Sequence, residues 1–170
     1  LARDAAGIDL VVGAKGSPMQ LILSAVFHID APTGNIPLAE AKKLAQNRAV
    51  KRAIPLALGD SFRGFRIAGT THDYVAHYGG EFAAGRLWQA PMEAVLGAET
   101  AKVAGLGVGG KFVGSHGFAE GGDEHGDYPY TVVGVFEKQG GMFGMFTAWT
   151  SAGCWRPSAR STRRRATPTG

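Results

Sequence analysis

The chain has a single cysteine among its 170 residues, Cys154. One thiol supplies neither a disulfide framework nor a thiolate cage for a metal. Long apolar runs are missing as well. The longest, Leu21–Ile29, is interrupted by Ser24 and His28, and a helix needs about 20 apolar residues to cross a bilayer. No basic leader with an apolar core and a small-residue cleavage site precedes the body. The chain begins at Leu1 rather than Met, so its natural start is expected to lie upstream, where a targeting or anchoring helix could sit.

Acidic residues are absent from 139–170, which carry five arginines: Arg156, Arg160, Arg163, Arg164 and Arg165. Removing these five from the 18 Lys and Arg leaves 13 against 14 Asp and Glu, a net charge of −1 for residues 1–138. The overall charge of +4 therefore belongs to the tail. A near-neutral body argues against nucleic-acid binding, and Arg63 and Arg66 beside Phe65 are explained by alternating strand faces rather than a stacking platform.

Glycine is plentiful, 26 of 170, which predicts many turns and short elements. Ile8–Val12 is β-branched and glycine-bounded, as a buried strand would be. The turn Gly13-Ala14-Lys15-Gly16 follows, with Lys15 facing solvent or a partner surface. Gln20–Ile29 fits a strand better than a helix. Pro37 in a first turn, followed by LAEAKKLAQNR, predicts a helix over Leu38–Asn47 with Leu38, Ala41, Leu44 and Ala45 on one face. Val50–Leu58 is expected as an edge or bulged strand because of Pro55. Phe62–Ala68 alternates as a half-exposed strand. Thr70 or Thr71 can cap a helix over Asp73–Tyr78, closed by Gly79-Gly80. Ala94–Gly97 is a short strand, Ala98–Ala104 a short helix stopped at Gly105, and Lys111–Gly114 and Tyr130–Glu137 further strands. The order predicts an α+β fold with a mixed or antiparallel sheet and short helices. Residues 1–138 form one domain, and the texture changes after Lys138. Residues 139–170 are either a basic tail of low order or a frame-shifted end.

Four patterns invite chemistry. Gly105–Phe112 imitates a phosphate loop, but Phe112 stands where a Ser or Thr hydroxyl is needed, and a helix precedes it where a strand should. Ser115-His116 is a nucleophile beside a base, yet adjacent side chains in an extended chain diverge, and the elbow pattern GxSxG is not met. His72 and His77, five apart, share a helix face poorly. The loop Glu120–Asp127, with Asp123, Glu124 and His125 and with His116 nearby, offers imidazole and carboxylate to zinc or calcium. It lacks the HExxH, HxH and calcium-loop spacings, so a solvated acidic loop competes with a weak metal site. No catalytic, cofactor-binding or metal residue is assigned.

Taken together, GIDLVVGAKGSPMQLILSAVFHID, Asn35–Pro37, AIPLALGDSFRGFRIAGTT at Ala53–Thr71, Ala84–Trp88, EAVLGAE at Glu93–Glu99, KFVGSHG at Lys111–Gly117 and YTVVGVF at Tyr130–Phe136 resemble one family. It is the extracytoplasmic domain of ABC transporter permeases of the MacB/FtsX type. The resemblance implies a periplasmic domain held between two membrane helices in the cell membrane. It implies a second permease copy as partner, and an ABC ATPase in another chain or domain. It implies no catalytic residue and no cofactor in this domain, whose role would be to couple ATP-driven change to substrate movement or partner contact. Leu1–Ala6 would be the stub of a membrane linker. A zinc-binding or zinc-delivery module is the alternative. The resemblance also gives the shifted-frame reading its interest, since Met142–Thr147 can then yield the family's Trp-Val-His segment.

Overall fold

A computed structural model describes residues 5–29, 32–116, 129–138 and 145–148. The order is α1 (Pro18–Ala25), α2 (Leu38–Ala45), β1 (Leu56–Phe62), β2 (Phe65–Thr70), α3 (His72–Tyr78), β3 (Phe82–Gly85), β4 (Glu93–Leu96), α4 (Ala98–Ala104), β5 (Lys111–Phe112), β6 (Ser115–His116), β7 (Tyr130–Phe136) and β8 (Met145–Ala148). One mixed sheet runs β3-β7-β4-β8-β2-β1-β6, with β5 also on β7. The β4–β7 and β2–β8 pairs are parallel and the others antiparallel. This is the expected α+β fold with a mixed sheet and short helices.

Several elements differ from the expectation, each for a local reason. Ile8–Val12 takes up no regular strand. The segment expected as a second strand is helix α1: Ser17 accepts from the Gln20 amide at its N-cap and Pro18 opens the first turn. Ser-Pro-x-Gln is a helix-start signature, and it outweighs the β-branched residues further on. Residues 50–55 stay outside the sheet. Pro55 ends that stretch and gives its carbonyl to the Thr70 hydroxyl at 2.8 Å; β1 begins at the next residue. The single strand expected over Phe62–Ala68 is instead a hairpin. Arg63 (φ 48°) and Gly64 (φ 81°) form its two-residue turn, and positive φ at both positions matches the right-handed twist of the flanking strands. Helix α2 half-buries Ala41 and Leu44 but leaves Leu38 and Ala45 exposed. Strands β3, β6 and β8 had no forecast. β8 lies beyond residue 138, in a stretch without apolar period, yet it sits between β4 and β2.

Each face of the sheet carries a core. One gathers Ala68, Tyr74, Val75, Trp88, Val95, Val133 and Phe136. The other gathers Ile67, Ala94, Leu96, Phe112, Tyr130 and Val132. Neighbours such as Ile67 and Ala68, or Ala94 and Val95, point to opposite faces, as the pleat requires. Strand β7 breaks this rule once. Val132 and Val135 face one core, Val133 and Phe136 the other. The pairing slips at the same place, from Ala94↔Val132 to Val95↔Gly134, so Val133 is an extra residue of a bulge. Glycine makes this bulge possible. A Cβ on Gly85, itself at φ +79°, would collide with the Val133 carbonyl, and one on Gly134 with the Arg86 carbonyl.

The loop after β3 is stapled from both ends. Arg86 reaches both Glu93 carboxylate oxygens, at 2.9 and 2.7 Å, and donates to the Leu87 carbonyl. Glu93 also accepts the Gln89 amide at 2.6 Å and the Ala90 amide at 3.2 Å. The Arg86 hydrogen bonds, aided by these amides, pull the Glu93 carboxyl down to about 2. An exposed ion pair alone contributes little; a carboxylate shared with two backbone donors fixes the loop that carries Trp88.

Two predictions follow from this packing. Gly134→Ala and Gly85→Ala each lower unfolding stability by roughly 2 kcal/mol or more through overpacking, whereas Gly59→Ala, with open space around its Cβ, changes the urea midpoint little; equal effects at all three sites would refute the bulge account. For Glu93, the folded carboxyl titrates near 2 against 4.5 when free, so its stabilisation is full above about pH 4.5 and disappears as pH falls toward 2. The gap in urea midpoint between the unmutated chain and Glu93→Gln should therefore narrow across that window, and a gap independent of pH would rule the staple out as its source.

Candidate functional site at the N-terminal junction

The four chemical patterns resolve differently once the chain is folded. In the glycine-rich loop, Gly105 is the left-handed cap of α4 and β5 follows at Lys111. The Gly109 and Gly110 amides donate to Val132 and Gly107 carbonyls, and Val132 donates back to Gly110. Those two N–H groups are committed to the turn and are not available to a phosphate. Ser115 donates to the Ser61 carbonyl at 3.3 Å, and β6 pairs with β1 through Ser115 and His116. The serine hydroxyl is thus a sheet-edge donor. Val113 and Gly114 carry the chain from β5 to β6; Gly114 is buried, and a Cβ there would press on Ile67 at 3.0 Å and Tyr130 at 3.4 Å. The residues Glu120–Asp127, with His125, lie outside the described residues. Among the described residues no three His, Cys, Asp or Glu side chains come together as a metal site.

The glycines around Lys15 have a structural purpose. Gly13 packs directly on the Leu21 side chain, and a Cβ on Gly16 would meet Thr33 at 2.8 Å. Thr33 also donates to the Ala14 carbonyl at 2.9 Å. The turn is clamped between α1 and the segment before α2, and Lys15 is left exposed at its tip.

Side chains of α3 meet residues that lie far from them in the sequence. This helix is stopped by Gly79 in the left-handed region, with Gly79 donating to Ala76 and Gly80 to Val75, a Schellman closure. Its expected cap is absent: Thr71 occupies the N-cap position without a side-chain cap bond, and its hydroxyl is buried without a partner among the described residues. Thr70 uses its hydroxyl on Pro55 instead. The buried Tyr74 and Val75 fasten α3 to the sheet core.

Three other α3 contacts reach three separate segments. His72 Nε2 donates to the Trp88 carbonyl at 2.8 Å, with the two rings edge to face. His77 Nε2 donates to the Ala6 carbonyl at 3.0 Å, and Gly7 (φ +74°) lets the backbone pass close to that ring. The Tyr74 hydroxyl bonds His28 Nε2 at 3.1 Å, with the rings again edge to face. His28 has φ 53°, a left-handed conformation that histidine tolerates better than most residues. Burial, and then the nearby Arg66 charge, push the His28 imidazole down to about 4, so it is neutral near pH 7 and can accept the tyrosine proton. Helix α3 is therefore the point where the leading segment, the β3–β4 loop and the sheet are tied together.

The leading segment also leaves several apolar side chains outside, although Val26 is buried. Leu10 is 72% exposed, Ile29 67% and Met19 64%, with Val12 and Ile22 also exposed. No described helix is long and apolar enough to cross a membrane.

Known proteins place this architecture. Among solved structures, the periplasmic region of MacB from Actinobacillus actinomycetemcomitans superposes with a TM-score of 0.50 at 17% identity, covering 82% of this chain and 63% of its own. The extracellular domain of the ABC-type transporter YknZ from Gram-positive bacteria gives 0.48 at 13% identity, covering 80% of this chain and 70% of that one. No curated protein sequence matches the chain. The family model described as the MacB-like periplasmic core domain matches residues 10–169 and so runs past Lys138 through β8. By that match the chain belongs to the family of MacB-like periplasmic core domains.

Proposed function

We propose that this extracytoplasmic domain of a MacB-like ABC transporter permease couples movement of the membrane part to the surface that meets substrate or partner proteins. The junction at α3 carries the reading. A domain that only had to fold could leave the segment before α1 loose; here Ala6 and His28 are both fastened to one helix whose Tyr74 and Val75 are buried in the sheet core. A pull on the leading segment would be delivered through hydrogen bonds and ring contacts to that core, which is close-packed and transmits displacement. The exposed Leu10, Met19 and Ile29 suit a position near the membrane surface or the partner permease. ATP hydrolysis would be performed by a separate ATPase, with two permease copies working as a pair.

The test uses the whole permease with its ATPase in a lipid disc. With Cys154 replaced by serine, a spin label on exposed Val103 of each copy reports the distance between the two domains. Coupling predicts a different distance distribution with ATP bound than without nucleotide. Identical distributions in the two states, in a preparation whose ATPase turns over, would falsify the proposal.

A further inference from the structure

His28 ends the leading segment in a seat that suits only a neutral ring. Its Nε2 meets the Tyr74 hydroxyl, and Tyr74 is itself buried against Tyr78, with ring centroids 4.9 Å apart. Among the described residues, the groups that bear on the imidazole are the Arg66 guanidinium from β2 and the Tyr74 phenol from α3. No carboxylate among them bears on it to balance a proton. Protonation would not remove the hydrogen bond, because a charged Nε2–H can donate to the tyrosine oxygen. It would instead place a cation in a poorly solvated seat beside another cation, which is costly on both counts. Leaving the seat solvates the charge, separates it from Arg66 and frees the residue from its left-handed backbone.

We propose that His28 is an acid-sensitive latch: a proton taken up by its imidazole releases the segment ending at Ile29 from α3. The latch rests on the geometry of this domain and holds whether or not the domain couples to ATP hydrolysis. The sign is fixed by the direction of the shift. A histidine near 6.5 when free and about 4 when seated contributes its stabilisation fully above pH 6.5, and loses it as pH falls toward 4. The Ala6–His77 contact then remains as the other tie to α3.

Amide hydrogen exchange on the full 170-residue chain tests this. The amides of Leu21, Val26 and Ile29, bonded to Ser17, Ile22 and Leu23, report the segment; those of Val95 and Val132 report the sheet. After correction for intrinsic rates, segment protection should fall on the order of 50-fold between about pH 7.5 and 4.5, with the sheet unchanged. In His28→Gln, which cannot take up the charge, segment protection should be flat over the same range. An unchanged segment in the unmutated chain, or an equal fall in His28→Gln, overturns the latch. Should His28→Gln fail to fold, an NMR titration of the unmutated His28 ring decides: a midpoint well below 6.5 accompanied by the fall in segment protection upholds the latch, and a midpoint near 6.5, or one without that fall, overturns it.

Discussion

Gly85 and Gly134 touch backbone to backbone, and the sheet's two cores depend on that contact. Strand β7 pairs with β3, β4 and β5. It must supply Val132 and Val135 to one face and Val133 and Phe136 to the other. A regular strand of period two cannot do this. The bulge at Val133 can, but the Val133 and Arg86 carbonyls then point into the space where side chains at 85 and 134 would lie. Two hydrogen atoms in place of two methyl groups let the strand change face without losing its neighbours.

The same economy of space governs the N-terminal junction. Glycines at 7, 13 and 16 let the leading chain lie against His77, Leu21 and Thr33. The polar ties are then few and directional, from His77 to Ala6 and between Tyr74 and His28. Hydrogen bonds of this kind contribute about 1 kcal/mol each, so they hold the segment in place without making its release prohibitive. The Arg86–Glu93 staple is different in kind. It joins the start of the β3–β4 loop to the first residue of β4 and positions Trp88, whose carbonyl receives His72.

Much of the fold was legible because its signals are local. Pro37 opened α2, paired glycines closed α3, Gly105 closed α4, and the β-branched Tyr130–Glu137 announced β7. The misses are equally physical. Ser17-Pro18 with Gln20 was a helix start hidden by the apolar β-branched run after it. Gly64 occupied one place in an apparent alternation over Phe62–Ala68, which concealed the turn it makes with Arg63. Strand β8 carries no apolar period to betray it. The junction was less legible still. His72 and His77 were weighed as a pair at a spacing of five, whereas their partners stand 16 and 71 residues away and Tyr74 meets His28 across 46. Spacing along the chain cannot forecast contacts that tertiary packing creates.

Strand β8 gives the sheet an order of assembly. Among the described strands, β6, β1 and β2 form one hydrogen-bonded group and β3, β7, β4 and β5 another; only Met145–Ala148 bridges them, pairing with β2 on one side and β4 on the other. Both groups can form before this bridge is in place. Until then β2 and β4 each present an open edge, the kind of template that recruits strands from other chains. The folding domain is thus most exposed to mispairing in the interval before residues 145–148 dock between those two edges.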